Sequence, residues 1–279
     1  MESLKVRNLS KNYKTFKLDD VSFTLEKGYI MGFIGSNSSG KTTTIKSMLN
    51  FINRDSGTVL INGYDLDTQE AELKQSIGYV SSSETYYSGT KIKSIKNMTK
   101  KFYREWNEQK YQDLIKEFGI DENKKIKDLS TGAIIKFQLA VAMSHNAPLL
   151  ILDEPTSNID PLSRDKITAL FQDYVSDGEH SVLFSTHITS DLEKCADYIT
   201  YIKNGKIIES TDIVSFKQKY LLVSGSKESL TSFNKELIIG IHDYEFGFEG
   251  MINTADKDSF NGLQITIPTL EDIMIHCER

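Results

Sequence analysis

The sequence predicts an α/β fold centred on a mostly parallel sheet, and three observations predict it. The apolar run Tyr29-Ile-Met-Gly-Phe-Ile34 leads into Gly35-Ser-Asn-Ser-Ser-Gly-Lys-Thr42, and a helical stretch over residues 41–51 follows. Strand, glycine-bounded loop and helix form the setting in which Gly, four residues and Gly-Lys-Thr make a phosphate loop. The run Leu149-Leu-Ile-Leu152 closes on Asp153-Glu154, and Ser181-Val-Leu-Phe-Ser-Thr-His187 repeats the theme with a histidine at its end. Unbroken apolar runs of this kind describe strands buried on both faces, and open α/β sheets bind ligands at the C-terminal ends of such strands.

The other elements follow in chain order. Residues 4–9 and 21–25 read as strands, the second through its alternation Val-Ser-Phe-Thr-Leu. Lys27-Gly28 turns the chain into the phosphate-loop strand. Residues 56–63 read as a hairpin strand closed by Asn62-Gly63, and residues 77–80 as a further short strand. Over 91–118 the pattern is helical, with Phe102, Tyr103, Trp106 and Tyr111 expected mostly in the core. A second helix is expected from about 133 to 145, after Leu129-Ser-Thr-Gly132. A helix over 188–196, a strand over 198–202 and the turn Asn204-Gly205 continue the alternation. Beyond about Asp212 the composition changes. Residues 220–224, 244–248 and 263–267 read as strands, and 227–237 and 270–277 as short helical stretches. A small α+β appendage over 212–279 behind a main domain over 1–211 is the expected division.

Composition narrows the class. A net charge of −6 argues against a general nucleic-acid binder. Basic residues gather over 88–128, with 11 Lys/Arg against 7 Asp/Glu, and read as a solvated helical face, with a surface facing acidic lipid as the alternative. Cys195 and Cys277 lie far apart with no metal-ligand spacing, as expected of reduced thiols in the cytosol. No signal peptide is visible, and no apolar run approaches the ~18–20 residues needed to span a bilayer. Work at a membrane would need another anchor.

The motifs carry the chemistry. Gly35 and Gly40 let the backbone curl so that successive N–H groups face one anion, and the helix start adds its positive dipole end. Lys41 is placed to reach the terminal phosphates of a nucleoside triphosphate, and the Thr42 hydroxyl to hold Mg²⁺. Tyr13, upstream of the loop, offers a ring face to an adenine.

The order of motifs points further: an aromatic before the loop, Leu129-Ser-Thr-Gly132, Leu149-Leu-Ile-Leu-Asp-Glu-Pro155, Ser157-Asn-Ile-Asp160 and Ser185-Thr-His187. Over about residues 1–210 the chain resembles the nucleotide-binding subunit of ATP-binding cassette (ABC) transporters. The resemblance implies a P-loop NTPase (ABC ATPase) core with an antiparallel β subdomain and a helical subdomain over about 84–145. It implies ATP and Mg²⁺ as cofactors. Tyr13 would stack on adenine, and Gly35, Ser36, Asn37, Ser38, Ser39, Gly40, Lys41, Thr42 and Thr43 would surround the phosphates. Thr42 and Asp153 would serve the metal, Asp153 through water. Glu154 would act as general base, and His187 would contact the γ-phosphate and keep water and Glu154 in register. Ser130 and Gly132 would contact ATP held by a second subunit, and Asp160 would act across that interface.

Two departures from the family pattern stand out. The signature reads Leu129-Ser-Thr-Gly-Ala133 where the family usually has Leu-Ser-Gly-Gly-Gln, although Ser130 and Gly132 remain. After residues 77–80 the family often has a glutamine that reaches Mg²⁺. This chain has Ser81-Ser-Ser-Glu84, with Ser82 near the metal position and Glu84 as its alternative. The tail Pro268-Thr-Leu-Glu-Asp-Ile-Met274 resembles the closing motif of subunits that serve bacterial exporters of drugs, lipids or antimicrobial peptides. The resemblance therefore implies an ATP-hydrolysing exporter subunit, peripheral on the cytoplasmic face of the cell membrane. It would bind a polytopic permease near residues 81–95 and work by ATP-driven head-to-tail dimerisation, as a homodimer or a heterodimer, without nucleic acid. The alternatives are a soluble, non-transport ABC ATPase and a slow-turnover ATP-binding regulatory subunit.

Overall fold

Ile30–Ile34 is buried at every position, and so are Leu149–Asp153 and Ser181–Thr186. Strands with two apolar faces must lie in the middle of a sheet, and these three do. The computed structural model describes residues 1–81, 86–157 and 159–279. In chain order its elements begin with β1 (Glu2–Asn12), β2 (Lys17–Glu26), β3 (Ile30–Ile34), α1 (Lys41–Met48), β4 (Ser56–Ile61), β5 (Tyr64–Asp65), α2 (Glu70–Gln75) and β6 (Ile77–Ser81). There follow α3 (Ile92–Thr99), α4 (Glu108–Glu117), α5 (Thr131–Met143), β7 (Leu149–Asp153), α6 (Pro161–Val175), β8 (Ser181–Thr186), α7 (Thr189–Cys195), β9 (Tyr198–Lys203) and β10 (Lys206–Asp212). The last are α8 (Ile213–Gln218), β11 (Tyr220–Gly225), α9 (Lys227–Leu230), β12 (Ile239–Asp243), β13 (Phe248–Asn253), β14 (Gln264–Thr266) and α10 (Leu270–Glu278).

The chain divides into two compact units, Met1–His187 with Lys194–Ser210, and Ile188–Glu193 with Thr211–Arg279. In the first, a six-stranded sheet runs β10-β9-β3-β8-β7-β6, and β9, β3, β8, β7 and β6 are parallel to their neighbours among these five. A four-stranded sheet, β2-β1-β4-β5, is antiparallel. One core joins the two: Leu4, Val6, Val21 and Phe23 of the antiparallel sheet cluster with Phe33, Ile151 and Leu183 of the parallel one, and with Ile45 and Met48 of α1. Register brings Ser81, Asp153 and Ser185 level at the C-terminal ends of β6, β7 and β8, with Phe33 of β3 beside Ser185. The fold is a phosphate-loop α/β core, with the antiparallel sheet and the helices α3–α5 added to it.

The second unit carries the antiparallel sheet β12-β13-β11-β14 over a small core of Val223, Leu230, Ile238, Phe248, Ile252 and Phe260. Thr269 and Asp272 form a reciprocal capping box at the start of α10. Glu193 binds the Leu270 amide at 3.0 Å and Lys217 Nζ at 2.8 Å, which ties 188–193 to this unit.

Four expectations are corrected. Residues 91–118 form two helices. Between them the Gln75 side chain donates to the Phe102 carbonyl at 2.6 Å and accepts from the Arg104 amide at 3.1 Å, while extended Asn107 caps α4 by accepting from the Lys110 amide at 2.9 Å. Of the four aromatics there, Tyr111 is fully buried but Phe102 is 70% exposed. Residues 244–247 form a turn rather than a strand, and Phe248 begins β13: Tyr244 N donates to the Gly247 carbonyl at 2.9 Å, and β12 pairs Asp243 with Phe248 across the turn. Residues 227–237 break after Leu230, because Asn234 caps a separate 3-10 turn at Lys235–Leu237. The helix expected to reach 51 stops at Met48, where Phe51 and Ile52 fold back onto the Lys46 carbonyl. Ser82 and Glu84, expected at the metal, lie outside the described residues.

Candidate nucleotide site

The site is built where β3 ends and α1 begins. Gly40 precedes α1 with φ 118°, a left-handed conformation that favours glycine, and α1 has no side-chain cap. The first-turn amides of Lys41, Thr42 and Thr43 have no helix carbonyl to meet, so this N-terminus is an open anion acceptor. The loop is tight. A Cβ on Gly35 would stand 2.3 Å from the Ile202 carbonyl oxygen and 2.5 Å from Ser39 Oγ. Ser36 accepts from the Ser39 amide at 3.2 Å, and the Ser39 carbonyl accepts from Gly205 N at 2.8 Å.

A cleft of about 710 Å³ opens at this helix start, lined by Asn37, Ser38, Gly40, Lys41, Thr42 and Thr43 and by Glu154, Ser157 and His187. Thr15 and Phe16 complete it. Lys41 Nζ is folded onto the loop. It donates to the Gly35 carbonyl at 2.8 Å and the Ser36 carbonyl at 3.2 Å, and lies 3.6 Å from Glu154 Oε1. Thr42 Oγ1 donates to Asp153 Oδ1 at 3.2 Å, and Ser185 Oγ donates to the same oxygen at 2.7 Å. Asp153 is only 3% exposed. Hydroxyl and carboxylate oxygens are the ligands a small hard cation takes, so Thr42 and Asp153 fit Mg²⁺. Among the described residues no group of three or more His, Cys, Asp or Glu suggests a further metal centre.

Glu154 is held at several points. Its amide donates to the Ser185 carbonyl and to Ser185 Oγ, both at 3.1 Å, and its φ is 55°. Ser157 Oγ donates to Oε2 at 2.6 Å, and His187 Nδ1 lies 2.9 Å from the same oxygen. A carboxylate only accepts, so Nδ1 carries the proton in this contact and Nε2 is left as the other ring position.

The structure thus brings together Lys41, Thr42, Asp153, Glu154 and His187. It does not bring Ser130, Gly132 or Asp160 to the cleft wall. Ser130 is the N-cap of α5, accepting from the Ala133 amide at 3.2 Å, with Gly132 in the first turn. Asp160 is the N-cap of α6, and hydrogen bonds from the Ser163 side chain and then its backbone hold the Asp160 carboxyl below the usual range. Tyr13 stands beside the cleft with its ring 6.5 Å from that of Phe16, and Phe16 is the aromatic on the wall. The sequence does not single out Phe16 or Thr15, and it marks Ser185 only as the first residue of Ser185-Thr-His187, with no role of its own. Phe16 carried the signal of a second aromatic three residues after Tyr13, and Ser185 that of a hydroxyl inside an otherwise apolar strand.

A phosphate-accepting helix start, a paired Asp-Glu strand end and a histidine on the next strand define a nucleoside-triphosphatase of the P-loop type. A family model described as "ABC transporter" matches residues 18–157. The ABC transporter ATP-binding protein YtrB of Bacillus subtilis (strain 168) is 30% identical over 206 residues, covering 74% of this chain and 70% of that one. The bacitracin transport ATP-binding protein BcrA of Bacillus licheniformis is 28% identical over 255 residues, 89% of this chain and 83% of that one. A solved structure of the ATP-binding subunit of an ABC transporter matches with a TM-score of 0.71 at 25% identity, over 77% of this chain and 92% of that one. The chain belongs to the ABC transporter family. It is an ATP-binding subunit with the family's ATPase domain.

Proposed function

We propose that this chain powers a membrane exporter and that its cleft is one half of an active site shared between two subunits. The observation that carries the reading is the Glu154 carboxylate, gripped by His187 and Ser157 in the same cleft as an uncapped helix start. On this reading the α1 amides and Lys41 bind the β- and γ-phosphates, and Lys41 exchanges its two carbonyl partners for phosphate oxygens. Phe16 and Tyr13 offer ring faces to the adenine. Thr42 and Asp153 hold Mg²⁺, which when bound neutralises charge on the phosphates. Glu154 takes a proton from the attacking water. The water oxygen bonds to the γ-phosphorus as the bond from that phosphorus to the ADP oxygen breaks, which leaves ADP and inorganic phosphate. His187 keeps Glu154 and the water in register. General-base help of this kind contributes about 10²–10⁴-fold.

Ser130, Gly132 and Asp160 serve a second subunit, identical or related. Ser130 and Asp160 are exposed residues at helix starts away from the chain's own cleft, and a place on the surface suits that role. A polytopic permease holds the chain at the cytoplasmic face on this reading. No helix among the described residues is long and apolar enough to cross a membrane. The likeness to a bacitracin transport subunit and the closing motif 268–274 support export. The test is purification of tagged Glu154→Gln from detergent-solubilised native membranes with ATP present. A multi-pass membrane protein in comparable amount is the expected companion. Ribosomal proteins, or no membrane protein, would contradict the reading.

A further inference from the structure

Ser185 is fully buried in β8, where Val182, Leu183 and Phe184 before it are buried apolar residues. For packing alone an alanine would serve there. A buried hydroxyl needs partners for both its proton and its lone pairs. Here both partners come from the two consecutive acidic residues of the neighbouring strand end. The Asp153 carboxylate only accepts, so the Ser185 proton goes to Oδ1 at 2.7 Å, and the oxygen accepts the Glu154 amide at 3.1 Å. The Ser185 carbonyl takes that same amide at 3.1 Å. Glu154 has φ 55°, a region that a residue with a Cβ keeps only when its surroundings hold it there.

The geometry points to Ser185 as a positioning residue for ATP hydrolysis. Its hydroxyl locks the Asp153 carboxylate and the Glu154 peptide to each other, so the metal-side and water-side carboxylates are presented as one rigid unit. The inference rests on the roles proposed above for Asp153 and Glu154. Ser157 complements it at the other end of Glu154, gripping Oε2 at 2.6 Å. Without the Ser185 hydroxyl, Thr42 is the remaining partner of Oδ1 among the hydrogen bonds described, and Thr42 is itself placed for the metal.

The direct test measures metal affinity rather than turnover. In the hydrolysis-blocked Glu154→Gln background, Mn²⁺ binding with ATP present is followed by electron paramagnetic resonance, with and without Ser185→Ala. Partners that orient metal ligands typically contribute 10–100-fold to metal affinity or activity. Ser185→Ala should therefore weaken Mn²⁺ binding about tenfold. ATP affinity in EDTA should stay unchanged, and Ser185→Thr should restore the metal affinity. In the otherwise wild-type chain Ser185→Ala should lower kcat by a similar factor. A folded Ser185→Ala with wild-type metal affinity and kcat overturns the inference, as does a folded Ser185→Thr that behaves like alanine. Thermal melting without nucleotide establishes folding. Should the alanine variant not fold, Ser185→Cys, with its weak donor, is read by the same measurements and the same outcomes. A wild-type protein that neither binds nor hydrolyses ATP would instead sink the underlying functional reading, which keeps the two failures apart.

Discussion

Gly35 leaves no room for a side chain, since a Cβ there would meet the Ile202 carbonyl and Ser39 Oγ well inside van der Waals contact. The loop is therefore seated on the end of β9, and its curvature depends on that seat. Gly35→Ala should cost about 1–3 kcal/mol by overpacking and should also lose ATP affinity. Chemical denaturation and fluorescent-nucleotide binding measure the two effects. Wild-type values in both would contradict the account. The residues of this loop were legible in the sequence because strand, loop and helix are contiguous in the chain. Ser185 and Phe16 were not. The role of Ser185 arises from the parallel register that sets it beside Asp153, 32 positions earlier, and no local pattern carries that register. Phe16 was obscured by Tyr13, whose type suited the role equally well.

At the scale of elements, the break between α3 and α4 is held by charge as well as by capping. Glu108 accepts from Lys96 Nζ at 2.6 Å and from Trp106 Nε1 at 3.0 Å. The hydrogen bond from Lys96, aided by Gln112 and Trp106 against the opposing effect of burial, pulls the Glu108 carboxyl down to about 2. A folded pKa below the unfolded value of 4.5 contributes stability that is present above pH 4.5 and lost as pH falls towards 2. The carboxylate is 44% exposed, so solvent screening limits the contribution to about 1 kcal/mol at neutral pH. Glu108→Gln should lower the urea midpoint at pH 7 and flatten its decline between pH 5 and 2. An unchanged midpoint at pH 7 with an unchanged acid limb would refute the pairing. This break was hidden from periodicity, which sees apolar spacing and misses a long-range partner such as Gln75, whose side chain holds the backbone at Phe102 and Arg104. The turn at 244–247 was hidden for a related reason. Its aromatic residues favour a strand, but the pairing of Asp243 with Phe248 leaves the four residues between them to close a hairpin.

For the molecule as a whole, the parallel sheet sets the chemistry. It aligns the ends of β3, β7 and β8 so that a helix start, the Glu154 carboxylate and a histidine line one cleft, with Asp153 buried against Thr42, which is why apolar runs ending in polar residues disclosed the site early. The proposed second half, at the starts of α5 and α6, follows from the family pattern and from the place of Ser130, Gly132 and Asp160 at helix caps away from that cleft. On the proposed mechanism Glu154 activates water for attack on ATP. Single-turnover hydrolysis of ATP by the wild-type chain and by Glu154→Gln tests it most directly. The substitution should slow hydrolysis by about 10²-fold or more while ATP remains bound. Equal rates for the two proteins would contradict it.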